Sequence, residues 1–251
     1  MPEEKRRRLR GASISMIFQD ALSSLNPVLP VGWQIAETFR VHQGMKRREA
    51  RERAIEMMRR VGIPLRRSES GISLISSPGM RQRIMIAMAI ALDPDVLIAD
   101  EPTTALDVTV QAQVMALLKE LQEEFSMGLI LITHDLGVVA DFADKIAVMY
   151  AGRVMETADV YETYARTANP YTKGLLDSIP RIDHEGDRLK AIPGLPPTLT
   201  DMPPGCPFSP DASSRPAAAA RTGRSCVRSF RASLRVPLRR RHLRFERGGP
   251  E

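Results

Sequence analysis

Residues 96–149 alternate between short apolar runs and amphipathic stretches, and this alternation leaves few architectures open. Val96-Leu97-Ile98-Ala99 is apolar throughout. A helix is expected from about Thr109 to Phe125, with Val110, Val114, Leu117, Leu118, Leu121 and Phe125 on one face. Leu129-Ile130-Leu131-Ile132 reads as the next strand, residues 136–142 as a short helix, and Ile146-Ala147-Val148-Met149 as a third strand. Apolar strands separated by helices predict an α/β fold, a parallel sheet with helices on its faces. Ligands in such sheets sit at the carboxyl ends of the strands. The polar residues fall there: Asp100-Glu101 after one strand and Thr133-His134-Asp135 after another.

Upstream, the first dozen residues form a basic lead-in, and residues 13–18 read as a short buried strand. Residues 32–62 are helical in pattern, with Ala54, Ile55, Met58 and Val61 forming one apolar stripe. Residues 63–78, rich in Ser, Gly and Pro, read as loop, and Met80 to Leu92 as a helix buried on several sides. Beyond about Glu156 the chain is an extension punctuated by prolines.

Charge divides the chain. Residues 1–210 carry 25 Lys and Arg against 27 Asp and Glu, whereas residues 211–251 carry 11 Arg against 3 acids. The pI of about 9.7 therefore belongs to the last 41 residues, and general nucleic-acid binding by the body is excluded. The longest apolar run, Ile84 to Leu92, is far too short to cross a bilayer. The basic opening is followed by no apolar region, so it is not a secretory signal. Two cysteines, Cys206 and Cys226, leave no room for a disulfide framework and suit a reducing compartment.

Several residues have chemistry to offer, each beside a plainer reading. Asp100 and Glu101 at a strand tip could hold Mg²⁺ and orient water, or could be two solvated acids. Thr104-Ala105-Leu106-Asp107 could be a turn in which Asp107 caps the next helix. His134 could contact a phosphate or be a hydrogen-bonded histidine.

Taken together, these segments resemble the ATP-binding subunit of an ABC transporter. Met16-Ile17-Phe18-Gln19-Asp20 resembles the Q-loop, and Gly79-Met80-Arg81-Gln82-Arg83 the end of the family signature. Leu97-Ile98-Ala99-Asp100-Glu101-Pro102-Thr103 resembles Walker B with its glutamate. Ala105-Leu106-Asp107 resembles the D-loop and Ile132-Thr133-His134-Asp135 the H-loop. Ser23-Ser24-Leu25-Asn26-Pro27, residues 84–89, residues 106–111, Asn169-Pro170-Tyr171-Thr172-Lys173-Gly174-Leu175-Leu176 and Gly205-Cys206-Pro207-Phe208 are similar to the dipeptide/oligopeptide importer subfamily.

The resemblance implies an incomplete P-loop NTPase domain over 1–157, with a helical subdomain at about 20–92. It also implies a C-terminal extension of the oligopeptide-transporter type over 158–210. Glu101 and His134 are then the catalytic residues; Gln19, Ser77, Gly79, Gln82, Asp100 and Asp107 the ATP-site residues; and Gln19 and Asp100 the Mg²⁺ partners. The implied partners are a second ATPase subunit, membrane permease subunits and, indirectly, an extracytoplasmic peptide-binding protein. Nucleic acid is not an expected partner. The implied location is the cytoplasmic face of the membrane, peripherally bound.

Three departures from the family pattern set further expectations. No Gly-x-x-x-x-Gly-Lys-Ser/Thr occurs in the 251 residues, so the chain is expected to be inactive alone. Pro78 stands where the signature has glycine, removing one backbone donor. Past Pro210 the subfamily's cysteine-rich ending gives way to an Arg-rich tail over 211–251, which reads as disordered and as the product of a reading-frame shift. The alternatives to an importer ATPase subunit are a non-catalytic docking module and, behind it, a nucleic-acid binder using the basic tail.

Overall fold

The computed structural model describes residues 2–20, 24–63, 77–179, 192, 194–200, 202–203 and 206–208. The expectations for residues 64–76, and for the tail at 211–251, lie outside the described residues. By its contacts the chain forms two compact units, which divide between Ile132 and Thr133.

In the first unit, β1 (Ile14–Ile17), β2 (Val96–Asp100) and β3 (Gly128–Ile132) form a parallel sheet in the order β1-β2-β3. The register sets Ile17 beside Ala99, and Ala99 beside Leu131. Between β1 and β2 come three helices: α2 (Val31–Gln43), α3 (Arg47–Arg60) and α4 (Pro78–Ile90). Between β2 and β3 comes α5 (Val108–Phe125). The parallel α/β arrangement expected from the alternation is present in these three strands.

One sheet face is the core. Ile17, Leu97 and Ala99 are completely buried, together with Ile84, Ile86 and Ile90 of α4 and Val114, Leu118 and Leu121 of α5. Because side chains alternate along a strand, the opposite face is set by the same register. There Ile14 is 46% exposed, Ile130 52% and Ile132 46%. The sheet therefore carries apolar residues on both faces but buries only one.

The helices follow from simple patterns. Ala50, Ala54, Met57, Met58 and Val61 make the buried stripe of the α3 segment, which packs against α2, where Ile35 and Phe39 are buried. Gly44 ends α2 in the left-handed conformation, φ +67°, which allows the sharp turn into α3. Seven of the thirteen residues of α4 are buried, as expected of a helix apolar nearly all round. The basic opening contains a short helix, α1 (Glu3–Leu9), and Glu3 pairs with Arg6 within it and with Arg10 just beyond it.

The second unit contains α6 (Leu136–Phe142), β4 (Lys145–Tyr150), β5 (Arg153–Asp159), α7 (Val160–Arg166) and α8 (Pro170–Asp177). Here the expectation of one continuous parallel sheet is corrected. β4 pairs antiparallel with β5 in a two-stranded sheet of its own. The cause is local: Ala151 and Gly152 both adopt left-handed conformations, φ 47° and 73°, the geometry of a two-residue hairpin turn. Tyr150, Met155 and Phe208 form a small core, with Tyr171 and Ile192 packed against it. The Tyr150 and Phe208 rings meet edge to face at 5.6 Å. Cys206 packs beside this cluster.

The difference between the two sheet faces yields a test. Leu97→Ala, on the buried face, should destabilise the 251-residue chain by about 2–5 kcal/mol. Ile130→Ala, on the exposed face, should cost less than about 1 kcal/mol. Urea unfolding curves of the two variants measure both; equal losses would show that the exposed face is covered in solution.

Candidate functional site

The ends of β1 and β2 lie side by side because Ile17 and Ala99 are in register. Two residues beyond each, Gln19 and Glu101 meet, although 82 positions separate them in the chain. Gln19 Nε2 donates to Glu101 Oε2 at 2.5 Å, and Thr104 Oγ1 donates to the same oxygen at 2.9 Å. The backbone of Glu101 is held as well. Its N–H donates to the Ile132 carbonyl at 2.8 Å, and its carbonyl accepts from Thr104 N–H at 3.2 Å. Glu101 sits at φ 45°, a left-handed conformation that costs a non-glycine residue about 1 kcal/mol or more and persists only where its surroundings enforce it. Ala105, φ 65°, makes a second such turn. Asp100 is the last residue of β2 and is half-buried. The structure thus brings Gln19, Asp100 and Glu101 to one end of the sheet.

Ser77, Gly79 and Asp107 sit at helix starts. Ser77 caps α4, its Oγ accepting from Met80 N–H at 3.3 Å. Pro78 takes the first helical position, where its fixed φ suits the helix and its missing N–H has no intrahelical partner to lose. The proline therefore leaves the local backbone intact and removes only a donor that would point out of the helix. Asp107 caps α5, accepting from Val110 N–H at 2.9 Å. The first turns of the two helices touch at Gly79 and Val110. Gln82 is buried within α4, and its Nε2 has no hydrogen-bond partner among the described residues.

His134 is exposed and belongs to the second unit. Beside it, Asp135 caps α6, accepting from Gly137 N–H at 2.9 Å and Val138 N–H at 3.3 Å. Tyr164 ties α7 to this start by donating to the Leu136 carbonyl at 2.5 Å. Burial, then the negative charges of Asp135 and Asp141, raise the Tyr164 hydroxyl above its ordinary pKa.

Sequence reasoning missed some of the residues that hold these groups. Thr104 was visible only as part of a turn, yet it grips Glu101. Gln34 was hidden in a helical pattern, and its amide pins the loop after Gln19 through Asn26 N–H at 3.0 Å and the carbonyls of Asn26 and Leu29 at 3.0 and 2.9 Å. A buried glutamine in an otherwise apolar stripe was the available signal. In the second unit, Glu156 accepts from Thr167 Oγ1 at 2.9 Å and from Ala168 N–H at 2.8 Å, ordering the approach to α8. Among the described residues, no group of three or more His, Cys, Asp or Glu could hold a metal ion. No described helix is long and apolar enough to cross a membrane.

The chain is similar to known proteins in two stretches. Residues 2–104 match the ABC transporter family, and residues 155–215 match the oligopeptide/dipeptide transporter C-terminal region. Residues 2–104 thus carry ABC transporter sequence. The second match runs a few residues past Pro210, where the subfamily pattern was expected to end. A Brucella abortus (strain 2308) protein provisionally named a peptide import ATP-binding protein is 54% identical over 206 residues. That match covers 81% of this chain and 62% of the relative. A protein of the same provisional name from Brucella melitensis biotype 1 is 50% identical over 215 residues, covering 83% of this chain and 64% of the relative. The chain thus spans less than two thirds of the length of these relatives.

Solved structures agree on the fold. A dimeric ATP-binding cassette in a post-hydrolysis state, bound to ADP and Pi, superposes with a TM-score of 0.55 at 28% identity. The superposition covers 64% of this chain and 68% of that one. The Clostridium perfringens protein cbiO1, part of the ABC transporter complex cbiONQ, gives a TM-score of 0.55 at 30% identity, covering 65% and 62% of the two chains.

The cap at Asp107 can be measured by itself. Asp107→Ala should lower stability by about 1 kcal/mol, and Asp107→Asn, which keeps an acceptor for Val110 N–H, by less than half of that. Chemical denaturation of the two variants distinguishes them; equal losses would mean that the carboxylate acts through its charge and not as the α5 cap.

Proposed function

We propose that the chain is part of an ATP-binding subunit of an ABC importer that takes up di- or oligopeptides. The observation that carries the proposal is the convergence of Gln19 and Glu101 at the ends of adjacent parallel strands, where the Q-loop and Walker B motifs were read. The names of the relatives and the match over residues 155–215 support the peptide as cargo.

The residues present suit Mg-ATP in their donor chemistry. The Gln19 amide oxygen and the Asp100 carboxylate are hard oxygen donors of the kind that Mg²⁺ takes. Bound Mg²⁺ would supply charge neutralisation at the phosphates. The Glu101 carboxylate would orient a water and accept its proton, and the bonds from Gln19 and Thr104 fix the side chain that does so. Ser77, Gly79 and Asp107 would belong to the surface offered to a partner subunit's nucleotide, whereas Gln82, expected there by resemblance, is buried within α4; His134 would serve as the phosphate contact. The working assembly would pair this subunit with a second ATPase subunit on membrane permeases, at the cytoplasmic face of the membrane.

Uptake of a labelled peptide by cells that depend on this subunit tests the proposal. Glu101→Gln should cut uptake by about a hundredfold or more while the subunit still assembles with the permease. Undiminished uptake would contradict the catalytic role. Loss of uptake on deleting the subunit, with Glu101→Gln uptake intact, would instead identify a docking module.

A further inference from the structure

The glycine at 79 lies in the first turn of α4, and no left-handed backbone explains its presence. Its φ is outside the region that favours glycine, so any L-residue could adopt its conformation. What excludes a side chain is space. A Cβ at 79 would lie 2.7 Å from Val110 Cγ1, and the three nearest atoms outside its own helix backbone all belong to Val110. Val110 is itself fixed, because its N–H is taken by the Asp107 cap at 2.9 Å. One turn further along both helices, Arg83 donates to Gln113 Oε1 at 3.3 Å and to the Val61 carbonyl at 2.7 Å. The two helices are therefore joined along one seam at two successive points, 79/110 and 83/113.

We infer that Val110 is a positioning residue: it seats the first turn of α4 directly on the first turn of α5, so that Ser77 and Asp107 are presented as one rigid edge. The glycine at 79 serves this seat rather than the close approach of a ligand. The inference rests on the proposed function in one respect, that this edge faces a partner subunit's nucleotide. The seat itself is a property of the chain alone. With Pro78 lacking an N–H, the Gly79 N–H is the donor of that turn with no intrahelical acceptor among the described residues, so its placement depends on how closely α4 rests on Val110.

Three variants of the full chain decide the matter: Gly79→Ala, Val110→Ala and the double change. Melting midpoints, measured without nucleotide, read the seat. Gly79→Ala should lower the midpoint by at least about 3 °C, and adding Val110→Ala should bring it within about 1 °C of Val110→Ala alone. ATP turnover by the assembled importer complex reads the positioning. Gly79→Ala should lower kcat per complex about tenfold with KM for ATP changed less than about twofold, and Val110→Ala in the same chain should restore most of the loss.

An unshifted midpoint for Gly79→Ala would overturn the inference. So would a double variant whose midpoint recovers while kcat stays as low as in Gly79→Ala, because the ligand would then be what requires the bare backbone. If the wild-type complex turns over no ATP, the functional proposal fails, and the melting data still judge the seat.

Discussion

The register of β1 against β2 is the constraint from which the candidate site follows. Parallel pairing sets Ile17 beside Ala99, so the chain leaves both strands at the same level and in the same direction. Gln19 and Glu101 are then neighbours without any long-range device to recruit them. A slip of one residue would turn Leu97 and Ala99 out of the core and move Glu101 away from Gln19. The same apolar alternation that fixes the buried face thus also sets the polar pair at the strand tips. The conformation of Glu101 adds to this. Its left-handed backbone is held by the Ile132 carbonyl and the Thr104 N–H, and its carboxylate by Gln19 and the Thr104 hydroxyl, so that the carboxylate is placed before any ligand arrives.

A second level of order comes from helix starts. Ser77, Asp107, Asp135 and Asn169 all cap helices through their side chains. At Ser77 and Asp107 the capping residue is also one that the family pattern marks, so structural and functional demands fall on the same atoms. The polar side chains Arg83, Arg60 and Gln34 do the bracing between segments. Arg60 reaches Glu124 at 3.2 Å and lies over the Phe125 ring at 5.3 Å, tying the end of α3 to the end of α5.

Much of the first unit was legible because its signals are local and periodic. β2, β3, α4 and α5 follow directly from apolar runs and stripes, as does α6 in the second unit, and their ends agree within about two residues. β4 was found as a strand, but its partner was not. Arg153–Asp159 mixes Arg, Glu, Thr and Asp with only Val154, Met155 and Ala158 as apolar residues, and the pairing is decided by backbone angles at Ala151 and Gly152. The consequence of Pro78 was also not legible, since a lone proline reads as a lost donor until Ser77 is seen to cap the helix that it begins. In the site, Gln19, Asp100 and Glu101 were recognisable by motif. Thr104 and Val110 were not, because a hydroxyl in a turn and a valine on a helix face acquire their roles only from what lies across the gap.

The central claim is that strand register brings Gln19 and Glu101 together and that the two side chains then bond directly. A double-mutant cycle measures it directly, comparing unfolding free energies of Gln19→Leu, Glu101→Leu and the pair against the unaltered chain. The account predicts a coupling of about 1.5 kcal/mol or more, the range for a hydrogen bond to a charged group. Additive losses, with coupling indistinguishable from zero, would contradict it.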